Sequence, residues 1–182
     1  MELKTNRLIL RDLKEADKKV LPSLVNDLDV SRYLAVVPFP YTQKDADWFV
    51  EHCKEEYKKK PRENYELGIE LQETRELVGV IGLTDVNTWN NRATLGYWLA
   101  KNYWRRGYMY EALQGLLQYA FTKLNLNRID ISADIRNEAS NNLIKKIGST
   151  FEGVARKHTR IKSTGEVCDT NMYGLLKENW KQ

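Results

Sequence analysis

Three consecutive residues, Arg105, Arg106 and Gly107, have the types and the placement to hold a phosphate. They interrupt the stretch GYWLAKNYWRRGYMYEAL, residues 96–113. Upstream, Leu95, Tyr97 and Leu99 alternate with Gly96, Trp98 and Ala100, the period of a strand. Downstream, Leu113, Leu116, Leu117, Ala120, Phe121 and Leu124 recur at helical spacing. A strand-to-helix junction leaves backbone N–H groups unpaired at the positive end of the helix dipole, and anions bind there. Gly107 lets a ligand approach the backbone, the amides of Arg106–Met109, Tyr108 included, form an anion nest, and the two arginines add charged donors. Taken alone, the segment reads equally well as a solvated turn with surface arginines. Only Gly107 stands where a dinucleotide fold needs three glycines, and no Gly-Lys-Ser/Thr follows, so neither a Rossmann turn nor a P-loop is present.

The elements that must position this turn are legible on both sides. RLILRDL is strand-like, and apolar residues from Leu13 to Leu28 keep a roughly helical spacing that Pro22 should break or kink. VVPFPYT reads as extended loop. Thr42 with Asp45 three residues on resembles a capping box opening a helix that runs to about Lys59 and is closed by Pro61. YELGIEL, ELVGVIGL and RATLGYWLA then read as strands. A helix over 108–124, the strand RIDISADI, a short helix across Ala139–Ile147 with Gly148 past its end, and the strands TFEGVAR and CDTNMYGLL complete the chain. The expectation is one α/β (α+β) domain over residues 1–182, a mixed central sheet of about seven strands flanked by helices.

Composition narrows the class. The 182 residues are 42% hydrophobic and 30% charged with a net charge of +4, an ordinary globular balance. No apolar run approaches the length of a membrane span, and MELKTNRLILRDL lacks the apolar core of a signal peptide, so a cytoplasmic location is expected. Cys53 and Cys168, with His52 and His158, fall in no metal-ligand spacing, and no metal is expected. The longest basic run, Lys58–Lys60, suits a helix C-terminus, and no aromatic-basic platform accompanies it, which argues against nucleic acid.

The order of elements and four motifs carry a resemblance. TNRLILRDL, PFPYTQKDADWFV (38–50), LGYWLAKNYWRRGYMYEAL (95–113) and NEASNNLIKKIG (137–148), with the ending MYGLLKENW, resemble the GCN5-related N-acetyltransferases. Within them the chain is similar to the ribosomal-protein N-terminal acetyltransferases of the RimJ/RimL type. The resemblance implies that acetyl-CoA is the cofactor and coenzyme A the product, with the pyrophosphate on Arg105–Met109. It implies that the strand end Trp98, Leu99 and Ala100 pairs with the pantetheine arm and lends an N–H to the thioester carbonyl. It implies further that Asn137 and Ser140 face the cofactor near its sulfur, and that Tyr33, Phe39 and Tyr41 belong to a region roofing the acceptor cleft. Acetyl transfer would run directly to an amine, with neither cysteine acting as a nucleophile. Relatives often pair, so a homodimer is an expectation.

Departures from the family pattern bear on the chemistry. Trp104 stands where Gln or Arg is frequent, and Met109 where Gly or Ala is, but neither removes a backbone donor. Ile144 stands where many relatives carry a tyrosine acid, leaving Ser140 as the expected proton donor to the leaving thiolate. Thr94 stands where many carry a glutamate base, so Glu70 and Asp85, near strand ends, are candidates to relay a proton through water. Asn137 also reads as a helix N-cap, and Asp169 either positions substrate or pairs with a neighbouring cation. The leading expectation is acetylation of a protein N-terminal α-amine, whose pKa of about 7.7–8 leaves much of it neutral, unlike lysine near 10.4. The alternatives are a small amine acceptor, such as a polyamine, amino acid or aminoglycoside, and a non-catalytic acyl-CoA-binding module.

Overall fold

The computed structural model describes residues 1–181. The chain order is β1 (Glu2–Lys4), β2 (Leu8–Asp12), α1 (Asp17–Val25), α2 (Leu28–Ser31), α3 (Gln43–Lys58), β3 (Tyr65–Leu71), β4 (Leu77–Asn87), β5 (Arg92–Leu99), α4 (Tyr108–Thr122), β6 (Arg128–Asp134), α5 (Glu138–Lys146), β7 (Thr150–Arg160) and β8 (Val167–Leu176). All eight strands lie in one sheet, ordered β1-β2-β3-β4-β5-β6-β8-β7, and every adjacent pair is antiparallel except β5 with β6.

The eighth strand corrects the expectation of about seven. β1 has three residues, too few for alternation to register, and it exists because Leu3 can pair opposite Leu10 of β2. Helix α1 does not break at Pro22 but carries it in its interior; it spans only Asp17–Val25 of the expected stretch from Leu13 to Leu28, and a separate four-residue α2 starts at Leu28. The capping box at Thr42 forms, with each partner bonding the other's backbone N–H. β7 runs on to Arg160 through two irregularities, longer than TFEGVAR.

Alternation along the strands divides the core. Leu8 and Leu10 of β2, Leu67 and Ile69 of β3, Leu95 and Leu99 of β5, and Ile129 and Ile131 of β6 share one cluster with Leu113, Leu116, Leu117 and Phe121 of α4. Each such fully buried side chain stabilises the fold by roughly 1.5–3 kcal/mol. The opposite face packs Val80 and Leu77 against Leu21 and Val25 of α1 and Val50 and Cys53 of α3.

One break in the sheet matters most. β5 and β6 run parallel and pair only from Arg92↔Arg128 to Leu95↔Ile131. Beyond that point β5 continues on β4 alone as far as Leu99, and β6 on β8 alone as far as Asp134. The two strands therefore part at their C-terminal ends and leave a gap between them.

Candidate active site

The gap exposes backbone polar groups that the sheet would otherwise use. Ala100 N–H donates to Val78 O of β4 at 2.9 Å, so by alternation Trp98 also turns its amide to β4, and Tyr97 and Leu99 turn theirs toward the gap. Of the expected strand-end set, Leu99 alone presents an N–H there, and Tyr97 joins it. Residues Lys101–Tyr103 make a 3-10 turn, and Trp104 bonds back through Nε1 to Leu99 O at 2.8 Å, tying the turn to the strand end.

The expected phosphate turn has the required geometry. Arg105 and Gly107 are both left-handed, at φ 60° and 79°. The first helical bond of α4 is Glu111 N–H to Gly107 O, at 3.1 Å, which leaves the amides of Tyr108, Met109 and Tyr110 without intrahelical acceptors. Met109 buries its side chain and so offers only its backbone, whereas Arg105 and Arg106 are exposed. The Arg106 guanidinium lies 5.6 Å over the Tyr103 ring.

A brace that sequence reading missed holds this turn. Glu111, in the first turn of α4, accepts from Thr5 Oγ1 at 2.6 Å, Arg7 N at 2.6 Å and Arg7 Nε at 2.7 Å. Arg7 in turn donates to Arg106 O at 3.1 Å and lies 4.7 Å over the Tyr108 ring. Glu111 could have been suspected as an acid in a first helical turn; Arg7 carries no sequence signal.

On the other side of the gap, three residues separate the end of β6 from the start of α5. Asn137 is its N-cap, accepting from Ser140 N at 3.1 Å, which leaves the Asn137 amide nitrogen without a partner among the described residues. Buried Asn141 donates to Asp134 O and Asn137 O and accepts from Asn171 and from Tyr173 Oη at 2.7 Å, locking the first turn of α5 to β6 and β8. Ser140, so placed, meets the Tyr97 hydroxyl at 2.9 Å. Burial pushes the Tyr97 phenol up to about 12, although its bond to Ser140 pulls the other way.

The structure does not gather the other expected site residues here. Glu70 is buried two strands away on β3, where it accepts from Arg11 Nε at 2.5 Å and lies 2.9 Å from Arg75 Nε; Arg11 also clamps Asp17 of α1. Each oxygen of this buried carboxylate faces a guanidinium, so it is closed to a substrate, and its part is to join β2, β3 and α1. Glu70→Gln is accordingly expected to cost about 3 kcal/mol of stability in urea unfolding while leaving kcat unchanged. Asp85 lies at the opposite end of β4, about 20 Å along the strands from Leu99 at ~3.3 Å per residue. It lines a hollow of about 540 Å3 with Thr94, Arg128, Asp130 and Glu152, remote from Ser140. Tyr41 is buried in the α1/α3 layer, its backbone paired with Asn26, and so is not a cleft wall. Phe39 stands 43% exposed in the loop leading to α3.

Tyr33, with Arg32, Arg136, Thr164 and Glu166, lines a hollow of about 120 Å3 between the end of α2, the residues that follow β6 and the β7–β8 hairpin. Lys101, just past β5, bonds Asp29 of α2 at 2.6 Å, and the tip of the β7–β8 hairpin reaches across through Lys162 N to Ala35 O and Ser163 Oγ to Ser31 O. Arg136 is held by Asp134 and Glu166, and Asp169 accepts from Lys157 N at 2.7 Å in the bulge of β7. Burial would raise the Asp134 carboxyl, but the Arg136 side-chain and backbone donors outweigh it and hold it below its ordinary value. In the same bulge His158 Nδ1 lies 3.2 Å from Thr159 Oγ1, which accepts from Thr170. No group of residues able to hold a metal, and no helix long and apolar enough to cross a membrane, occurs among the described residues.

A parted parallel strand pair, with a turn of unpaired amides opening the helix that follows, makes a site for an extended ligand that carries phosphate. Residues 7–150 match the family model described as the acetyltransferase (GNAT) domain. The chain belongs to the GCN5-related N-acetyltransferase family, is an N-acetyltransferase, and uses acetyl-CoA. It is 32% identical to "Uncharacterized N-acetyltransferase p20" of Bacillus licheniformis, over 98% of this chain and 97% of that one. It is 37% identical to "Putative ribosomal N-acetyltransferase YdaF" of Bacillus subtilis, over 58% and 56% of the two chains. Among solved structures, RimL, a ribosomal L7/L12 alpha-N-protein acetyltransferase in complex with coenzyme A, superposes with a TM-score of 0.82 at 23% identity, over 97% of this chain and 98% of that chain.

Proposed function

We propose that the protein acetylates the α-amine of a protein N-terminus. The observation that carries this reading is how the carboxylates at the parted strand ends are engaged: Asp134 and Glu166 are bonded to Arg136, and Asp169 to the backbone of β7. With these three carboxylates engaged, the site suits an amine that is already partly neutral at pH 7, as an α-amine is and a lysine or polyamine is not. The hollow lined by Tyr33, with two arginines and one glutamate, is also unlike the carboxylate-rich cleft a polycation would need. The name carried by the Bacillus subtilis relative points the same way.

The residues fit the cofactor. The amides of Tyr108, Met109 and Tyr110 with Arg105 and Arg106 would hold the pyrophosphate, and the gap-facing amides of Tyr97 and Leu99 would pair with the pantetheine arm. Acetyl-CoA supplies the acyl group as an activated thioester. Leu99 N–H would stabilise charge growing on the carbonyl oxygen, and Ser140 Oγ would hold the proton destined for the leaving sulfur.

Thiol release from acetyl-CoA tests the reading against peptides with free N-termini, N-blocked lysine peptides, spermidine and an aminoglycoside, for wild type and Ser140→Ala. Turnover on free N-termini alone, lowered roughly 100-fold or more in Ser140→Ala, is expected. Turnover on spermidine or the aminoglycoside would move the acceptor to a small amine. Tight acetyl-CoA binding with no turnover on any amine would make the protein a binding module.

A further inference from the structure

The gap between the parted strands is crossed by one side-chain hydrogen bond among the described residues, Tyr97 Oη to Ser140 Oγ at 2.9 Å. Tyr97 belongs to the part of β5 that β6 has left, and Ser140 to the first turn of α5. We infer that Tyr97 is the proton reservoir behind Ser140, so that the pair, rather than the serine alone, protonates the leaving group.

The chemistry explains why a partner is needed. A serine hydroxyl is a weak acid, far weaker than a phenol near 10, and alone it would have to become an alkoxide after giving up its proton. The phenol, as the stronger acid, donates to Ser140 Oγ and leaves the serine's own proton free to point elsewhere. α5 offers no second hydroxyl on this side: Ile144, one turn on, is fully buried in the core. The Tyr97 ring packs against the same core, which fixes its hydroxyl in place. The proton balance closes. The amine lone pair forms the N–C bond as the C–S bond breaks and its electron pair passes to sulfur. Ser140 Oγ gives its proton to that sulfur and takes the Tyr97 proton, and the phenolate regains from solvent the proton the amine has lost.

This inference rests on acetyl transfer at this gap and not on which amine accepts. Two measurements on Tyr97→Phe, which keeps the ring and removes only the hydroxyl, test it. The first needs no cofactor: the Tyr97 ionisation, followed by NMR on ring-labelled tyrosine in the free enzyme with Tyr97→Phe assigning the signal, should lie near 12 and rise further in Ser140→Ala, because the bond to Ser140 lowers it. An ionisation that does not respond to Ser140→Ala overturns the inference, since the two hydroxyls are then uncoupled. The second is a double-mutant cycle with whichever amine is turned over best. Tyr97→Phe should lower kcat about 10- to 100-fold with the KM for acetyl-CoA little changed, and the double variant should be no slower than Ser140→Ala alone. Losses that multiply, or a raised KM with kcat intact, would make Tyr97 a packing residue. A change of acceptor leaves both measurements standing, so failure of the N-terminal reading and failure of the relay are told apart.

Discussion

Replacing Gly107 by valine is expected to weaken coenzyme A binding by about 100-fold, on the order of 3 kcal/mol. Gly107 sits at φ 79°, where an L side chain costs about 1–2 kcal/mol and a β-branched one more. A Cβ added there would stand 3.4 Å from Arg7 Nη2, the guanidinium that braces the turn through Arg106 O. To relieve the backbone strain and make room for the valine branches beside that guanidinium, the turn must rotate its φ, and the amides that would hold the phosphates then diverge. Gly107→Ala should fall between, near tenfold, because it carries the φ penalty with less bulk. Calorimetric titration with coenzyme A measures the loss, and melting curves separate it from unfolding. Wild-type affinity in both variants would mean that the cofactor's phosphates lie elsewhere.

The second large effect is expected at Glu111. One carboxylate accepts three hydrogen bonds from Thr5 and Arg7, and its side chain is only 16% exposed. Glu111→Ala strands those donors and should cost about 3 kcal/mol, or roughly 6–12 °C in Tm for a domain of this size. Coenzyme A affinity should fall with it, since Arg7 then loses its anchor beneath the turn.

The pH dependence has a definite sign. Burial alone would raise the Glu111 carboxyl, but bonds from Thr5 and Arg7 outweigh it and hold the folded-state value below the ordinary 4.5. A depressed carboxylate contributes stability that is fully present above its unfolded value and is lost as pH falls through the folded one. The stability difference between wild type and Glu111→Ala should therefore be constant near neutrality and shrink below about pH 4.5. Urea unfolding at pH 7, 5 and 3.5 measures it. A difference that stays the same down to the lowest pH would mean that the brace does not depend on the charge.

The pieces of this site differ in how far local sequence reveals them. The turn at Arg105–Gly107 and the long helix after it are legible because a strand period gives way to a helix period around one glycine, all within about thirty residues. Asn137 as an N-cap is legible for the same reason: its partner, Ser140 N, is three residues away. Tyr97 is different. Its place in an alternating run marks it as a strand residue, and nothing nearby distinguishes a packing phenol from one aimed at a serine 43 residues later. Glu70 and Asp85 fail in the opposite sense, since both sit near strand ends but one is folded into an ion cluster and the other lies at the far end of the sheet. Strand-end position says nothing about which end of a sheet is the working one.

By itself, then, the sequence determined most of the elements, their order and the turn at Arg105–Gly107, because periodicity, capping and a glycine's freedom act over a few residues. Only the tertiary structure decided where β5 leaves β6, which amides face the gap, and that Thr5 and Arg7 reach Glu111 more than a hundred residues away. It also brought Tyr97 to Ser140 and took Glu70 out of the chemistry. Those outcomes depend on strand register and on which side chains cross a closed interface. Register is set by the burial of one whole face of the sheet at once, and no short stretch of the chain carries that information.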